Sequence, residues 1–146
     1  QRQEAVVASI NIRGVVVGGL LAGLIINISE YILNEPVLGT RIAAAMTAHN
    51  LPPIGGSATV VFVILGFVLG LLLVWLYGAI RPRFGPGPTT AAITGVLVWF
   101  LTYFWTLVSL GVLGLFPWGL VSIALVWGLI ELMAAALAGG RLYTEV

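Results

Sequence analysis

Four long apolar runs alternate with short polar breaks along the chain. They cover about 12–33, 59–80, 89–110 and 119–138. Each is about 20 residues long, which at about 1.5 Å rise per residue crosses a hydrocarbon core of about 30 Å. The pattern predicts an all-α integral membrane four-helix bundle, one transmembrane domain over residues 1–146. The sharpest break lies within 75–91. There an apolar run ends in Trp75 and Tyr77, Arg81 and Arg83 follow, and prolines and glycines lead to Thr89 and Thr90. This reads as one helix leaving the bilayer, a charged turn in water, and another helix entering. Residues 113–118, with Gly114 and Pro117, read as a tight turn.

The longest piece between spans is 34–57. Asn34 followed by Glu35 and Pro36 is a helix-start signal. Val37, Leu38, Ile42, Ala45 and Met46 give a rough apolar face, so a short interfacial helix is expected to about Ala48 in this outer loop. Leu51-Pro52-Pro53-Ile54-Gly55-Gly56 cannot continue it. A re-entrant loop is the sharper alternative, but nothing in the sequence forces backbone into the core.

Composition agrees. The 146 residues are 60% hydrophobic and 8% charged, with mean hydropathy +1.15. A water-soluble domain carries about 25% charged residues, so this surface suits lipid. Lysine, aspartate and cysteine are absent, which removes disulfides and thiolate metal sites. The amino-terminal segment has no short apolar core before an A-x-A-like site, so a signal peptide is not expected. The net charge of +1 matters less than its placement. With four spans, Arg2, Arg13, Arg81, Arg83 and Arg141 fall on one side and only Arg41 on the other. The positive-inside rule then places both termini in the cytoplasm. Trp75 and Tyr77 fit an aromatic belt at the inner interface, and Trp118 one at the outer.

Small residues recur at four-residue spacing: Gly14 and Gly18, Gly19 and Gly23, Gly66 and Gly70, and Ala134, Ala135, Ala138 and Gly139 in the last run. Such spacing lets helices approach closely in lipid. A shift of 62 residues lays Gly66 on Gly128 and Gly78 on Gly140, a weak sign of a repeat of two helices per unit.

The motifs Leu51-Pro-Pro-Ile-Gly-Gly56 and Val74-Trp-Leu-Tyr-Gly-Ala-Ile-Arg-Pro-Arg-Phe-Gly-Pro-Gly-Pro88 resemble those of a group of small bacterial four-helix membrane proteins with no known activity. The resemblance covers nearly the whole chain after residue 12. It implies this architecture and a multi-pass location in the bacterial plasma (inner) membrane, and it transfers no functional residues.

Few residues offer chemistry. One histidine, His49, and no Glu-x-x-His pair leave no metal or haem ligand set, and no cofactor is expected. No serine lies in a nucleophile context, and prolines remove the donors that a phosphate loop needs, so an enzyme is not expected. Two carboxylates lie within spans. Glu131 lies about 18 Å from the outer end of its run. An ionisable group at that depth costs several kcal/mol unless neutral or partnered, so it marks either a functional site or a register lock. It is expected to be protonated and to face the bundle, with Thr102, Thr106, Tyr103 and Asn27 as partners at matching depth; Thr102, Thr106 and Ser109 share one helical face. Glu30, about 5 Å deep, is expected to reach the headgroup region beside Asn34 and Glu35. Arg81 and Arg83 near the start of the third helix, with Thr89 and Thr90, form a candidate anionic-lipid site.

These features point first to a non-catalytic accessory or scaffold subunit of a larger bacterial membrane complex. Its partners would be membrane lipids and other membrane subunits or itself, with no nucleic acid. A small homo-oligomeric transporter or proton-linked channel using Glu131 is the second reading. Binding of a lipid, quinone or carotenoid between aromatic-rich helices (Trp99, Phe100, Phe104 and Trp105) is the third.

Overall fold

The computed structural model describes residues 9–145. Arg2 and Glu4 of the amino-terminal lead lie outside the described residues. Five helices follow one another: α1 over Ile12–Val37, α2 over Gly39–Ala48, α3 over Gly56–Phe84, α4 over Pro88–Val112 and α5 over Trp118–Leu142. All but α2 are long and apolar enough to cross a membrane. Among the described residues there is no strand.

The helices outrun the apolar stretches at several ends. Asn11 caps α1, its side chain accepting from the Gly14 N–H at 3.1 Å. At the other end α1 does not stop near Leu33. It continues through a π-helical turn, Leu33–Val37, closed by a bond from Leu38 N to Leu33 O at 2.8 Å. Pro36 lies inside that turn. It has no N–H to give an α-helical ladder and its ring crowds the preceding turn; a wider turn accommodates both. Asn34 is therefore not the cap of a new helix. Its side chain reaches back to Glu30 O at 2.9 Å.

The central turn is tighter than the sequence pattern suggests. Arg81, Pro82 and Arg83 are all helical, and the last turn of α3 ends at Phe84. Two cations at a helix carboxyl end meet its negative pole, which favours extending the helix. Only Gly85, Pro86 and Gly87 connect α3 to α4. Gly85 at φ +83° and Gly87 at φ +126° occupy backbone regions that side chains disfavour. Tyr77 and Thr90 hold the turn, with Gly87 N donating to the Tyr77 hydroxyl at 3.1 Å and Thr90 Oγ1 donating to Gly85 O at 2.6 Å. Pro88 takes the first helical position.

The two glycine pairs of α1 serve two different neighbours. Gly19 and Gly23 face Gly70, Leu71 and Phe67 of α3, while Gly18 faces Gly139 of α5 and Gly14 faces Tyr143 just beyond it. α1 is thus the central helix, packed on both α3 and α5, and α4 packs mainly on α5. The core is apolar: Ala22, Leu73, Val74, Leu132 and Ala135 are fully enclosed. A second cluster at the α2 end joins Leu33 and Leu38 to Leu120 and Ala124, with Ile42 against it. By contrast, residues 59–65 of α3 are exposed at every position. Seven consecutive residues cover all sides of a helix, so the side chains at this end of α3 are largely left open, although Val63 O accepts from Asn27 Nδ2 of α1.

Candidate functional site

The side chains that meet in the bundle are Glu30 from α1, Tyr103 from α4 and Glu131 from α5. The Tyr103 hydroxyl lies 2.7 Å from Glu30 Oε1 and 2.7 Å from Glu131 Oε1. Asn34 Nδ2 then donates to Glu30 Oε2 at 2.6 Å. Burial falls along the series. Glu131 is 4% exposed, Glu30 and Tyr103 are half-buried, and Asn34 is exposed. The Ser29 hydroxyl lies beside Glu131 and accepts from Trp127 Nε1 at 2.9 Å. Glu131 Oε2 has no hydrogen-bond partner among the described residues.

Two local features build this arrangement. First, α4 widens into a π-helical turn at Phe100–Phe104, closed from Trp105 N to Phe100 O. The extra residue shifts the helical phase, and Tyr103 points to α5 while Phe100 and Phe104 stack with centroids 4.9 Å apart. Trp99 Nε1 donates to Leu125 O at 2.9 Å and fixes α4 on α5 just ahead of that turn. Second, Gly128 lies three residues before Glu131 and under the Tyr103 ring. With no side chain there, the ring lies directly on the α5 backbone.

Of the residues expected around Glu131, the structure brings Tyr103 to it and leaves the others elsewhere. Thr102 Oγ1 donates to Val98 O of its own helix at 2.7 Å, and Ser109 Oγ to Trp105 O at 2.7 Å. Thr106 is exposed. Hydroxyls on a helix satisfy themselves on the carbonyl four residues back, so a polar line need not face a partner. Asn27 turns to α3, with Nδ2 donating to Gly23 O at 2.9 Å and to Val63 O at 3.2 Å, against Gly66. Glu30 is the residue that sequence depth misplaced. The helix runs on through the π turn to Val37, so Glu30 lies about 10 Å from its end. The signal was present in the Glu30/Asn34 pair, four apart at the end of an apolar run, and so on one helical face.

The residues of the anionic-lipid expectation do not form one cradle. Arg81 turns to the chain end, with Nη1 3.7 Å from Glu145 Oε1 and its guanidinium 5.6 Å from the centre of the Tyr143 ring. Thr90 is used in the turn, and Arg83 and Thr89 are exposed. Around Arg81 the residue just before α1 meets the segment just after α5. Asn11 N donates to the Tyr143 hydroxyl at 3.1 Å, Asn11 Nδ2 to Thr144 O at 2.7 Å, and the Tyr143 ring stands edge-on to Tyr77 at 5.9 Å.

His49 and Arg41 line an open groove of about 580 Å³ between α2 and the turn before α5. No group of three or more His, Cys, Asp or Glu side chains among the described residues could hold a metal ion. Comparison with protein families, curated proteins and solved structures finds no match to this chain. The site therefore rests on this chain's own geometry.

Proposed function

We propose that the protein is a small multi-pass protein of the bacterial inner membrane that holds a proton inside its helix bundle and acts in proton-linked transport, as a homo-oligomer. The observation that carries this reading is the Tyr103 hydroxyl at 2.7 Å from two carboxyl oxygens. A hydroxyl has one hydrogen to donate. Two such short contacts to two carboxylates would leave one oxygen pair facing each other without a proton. A second hydrogen, on Glu30 or Glu131, makes both contacts hydrogen bonds and leaves the pair with a single negative charge.

Burial supports the same state. Two ionised carboxylates within one membrane site repel each other and lose hydration, and one shared proton relieves both costs. A register lock alone is served equally well by amides, so an intramembrane carboxyl pair favours proton chemistry. The arginine distribution sets the direction: the Gly85–Gly87 turn faces the cytoplasm, and α2 lies at the outer interface.

A second reading is favoured by one observation. Residues 59–65 of α3 are exposed on all sides, with Val60 at 59% and Phe62 at 58%. A partner helix could pack there, which suits an accessory subunit of a larger membrane complex. Purification in mild detergent separates these readings from each other and from ligand binding: a homo-oligomer supports transport, a fixed set of other subunits the accessory role, and a coloured or extractable molecule ligand binding. In proteoliposomes under a pH gradient, the protein should carry proton flux that Glu131→Gln abolishes without loss of assembly. Flux equal to that of empty vesicles, or unchanged in the variant, contradicts the proposal.

A further inference from the structure

Among the described residues, hydrogen bonds connect the carboxyl pair to one end of the bundle only. Toward α2, hydrogen bonds run without a gap from Glu131 through Tyr103 and Glu30 to Asn34, which is exposed on the last turn of α1. Toward the arginine-bearing end, the next layers are Leu132, Ala135, Leu73, Val74 and Ala22, all fully enclosed. Two buried hydroxyls lie on that side, Thr90 and Thr94, and each is committed to backbone: Thr94 Oγ1 donates to Thr90 O at 2.8 Å and Thr90 Oγ1 to Gly85 O. The titratable groups facing Glu131 are Glu30 of α1 and Tyr103 of α4. On α3, Tyr77 and Arg81 lie at the opposite end, where Gly87 N donates to the Tyr77 hydroxyl and Arg81 lies beside Glu145 and Tyr143.

We propose that in this conformation Glu131 exchanges its proton with the α2 side of the membrane, through Tyr103 as relay and Glu30 as entry group, and that the opposite face gains access only when the bundle changes shape. This rests on the proton-holding reading above. A proton arriving on Glu30 is donated to the Tyr103 oxygen while Tyr103 donates its own hydrogen to Glu131. The O–H bonds broken on Glu30 and on Tyr103 are replaced by O–H bonds formed on Tyr103 and on Glu131. Tyr103 ends as it began, Glu30 is left ionised and Glu131 neutral. Rotation of the Tyr103 hydroxyl resets the path. Asn34 holds the Glu30 carboxyl toward the exposed end.

The test is a pH step on one face at a time, followed by the infrared C=O stretch of the carboxyl groups, on the full chain in sealed vesicles. Orientation is set by labelling a cysteine at Gly55. Raising the pH on the Gly55 face should remove the protonated-carboxyl stretch quickly, and the same step on the other face many-fold more slowly. Tyr103→Phe should slow the loss several-fold on the Gly55 face, whereas Thr94→Val should leave it unchanged. Equal rates from both faces, or an unchanged rate in Tyr103→Phe, overturn the relay while leaving a proton-holding pair intact. Absence of any protonated-carboxyl stretch in the unaltered protein overturns both proposals together.

Discussion

Gly128 lies beneath the Tyr103 ring so closely that a Cβ built on it would sit 2.5 Å from the ring's Cδ1. The absent side chain is what lets the hydroxyl reach Glu131 one helical turn away. Gly128→Ala forces the ring outward and should destabilise the bundle by about 1–3 kcal/mol, the usual range for overpacking. Gly119→Ala is the control, since nothing lies within 4 Å of that position. Thermal unfolding in detergent checks the contrast: a clear loss for the first variant and little change for the second.

The α1–α3 contact makes a sharper forecast. A Cβ on Gly70 would meet Gly19 O at 2.5 Å and Gly23 Cα at 2.6 Å, both backbone atoms that cannot turn aside. Gly70→Val should separate the two helices, and the variant should be recovered at much lower yield and cleaved by protease within α3. A Gly70→Val protein as stable as the parent would show that α1 and α3 do not cross at these glycines.

At the arginine-bearing end, Asn11 has two roles. Its carboxamide oxygen caps α1 and its amide donates to Thr144 O at 2.7 Å. Asn11→Ala should cost about 1 kcal/mol for the cap and free the tail after Leu142, measured as faster carboxypeptidase digestion. Digestion at the parental rate would mean that Tyr143, buried at 3% exposure, holds the tail alone.

The four spans were legible in the sequence because uninterrupted apolar runs of bilayer length are rare outside membrane helices. Glu131 was legible for the same reason, as a charge inside such a run, and so was Tyr103 as a neighbour in depth. Glu30 was legible as a carboxyl beside Asn34, but its depth was not. Asn34-Glu35-Pro36 reads as the start of a new helix, and only a π turn allows α1 to run on past Pro36 and carry Glu30 into the bundle. The phase shift at Phe100–Phe104 hid the inward turn of Tyr103 in the same way, because a strict 3.6-residue period does not anticipate an inserted residue. The line of Thr102, Thr106 and Ser109 misled, since periodicity cannot tell a hydroxyl satisfied by its own helix from one seeking a partner.

Topology has an independent check. Single cysteines at Gly55 and at Pro86 should label from opposite faces of intact cells, Gly55 from outside. Pro86 is preferable to Gly85, whose φ of +83° would strain a side chain. Labelling of Pro86→Cys by an impermeant reagent from outside would reverse the orientation.

The central claim is a proton held between Glu30 and Glu131. Its most direct test is the infrared spectrum of the purified protein at neutral pH. A protonated-carboxyl stretch should be present, shifted in Tyr103→Phe and abolished in Glu131→Gln, whose amide preserves a donor and an acceptor and so the fold. A spectrum with no such stretch at neutral pH, or one that survives unchanged in the Glu131→Gln, Glu30→Gln double variant, would contradict it.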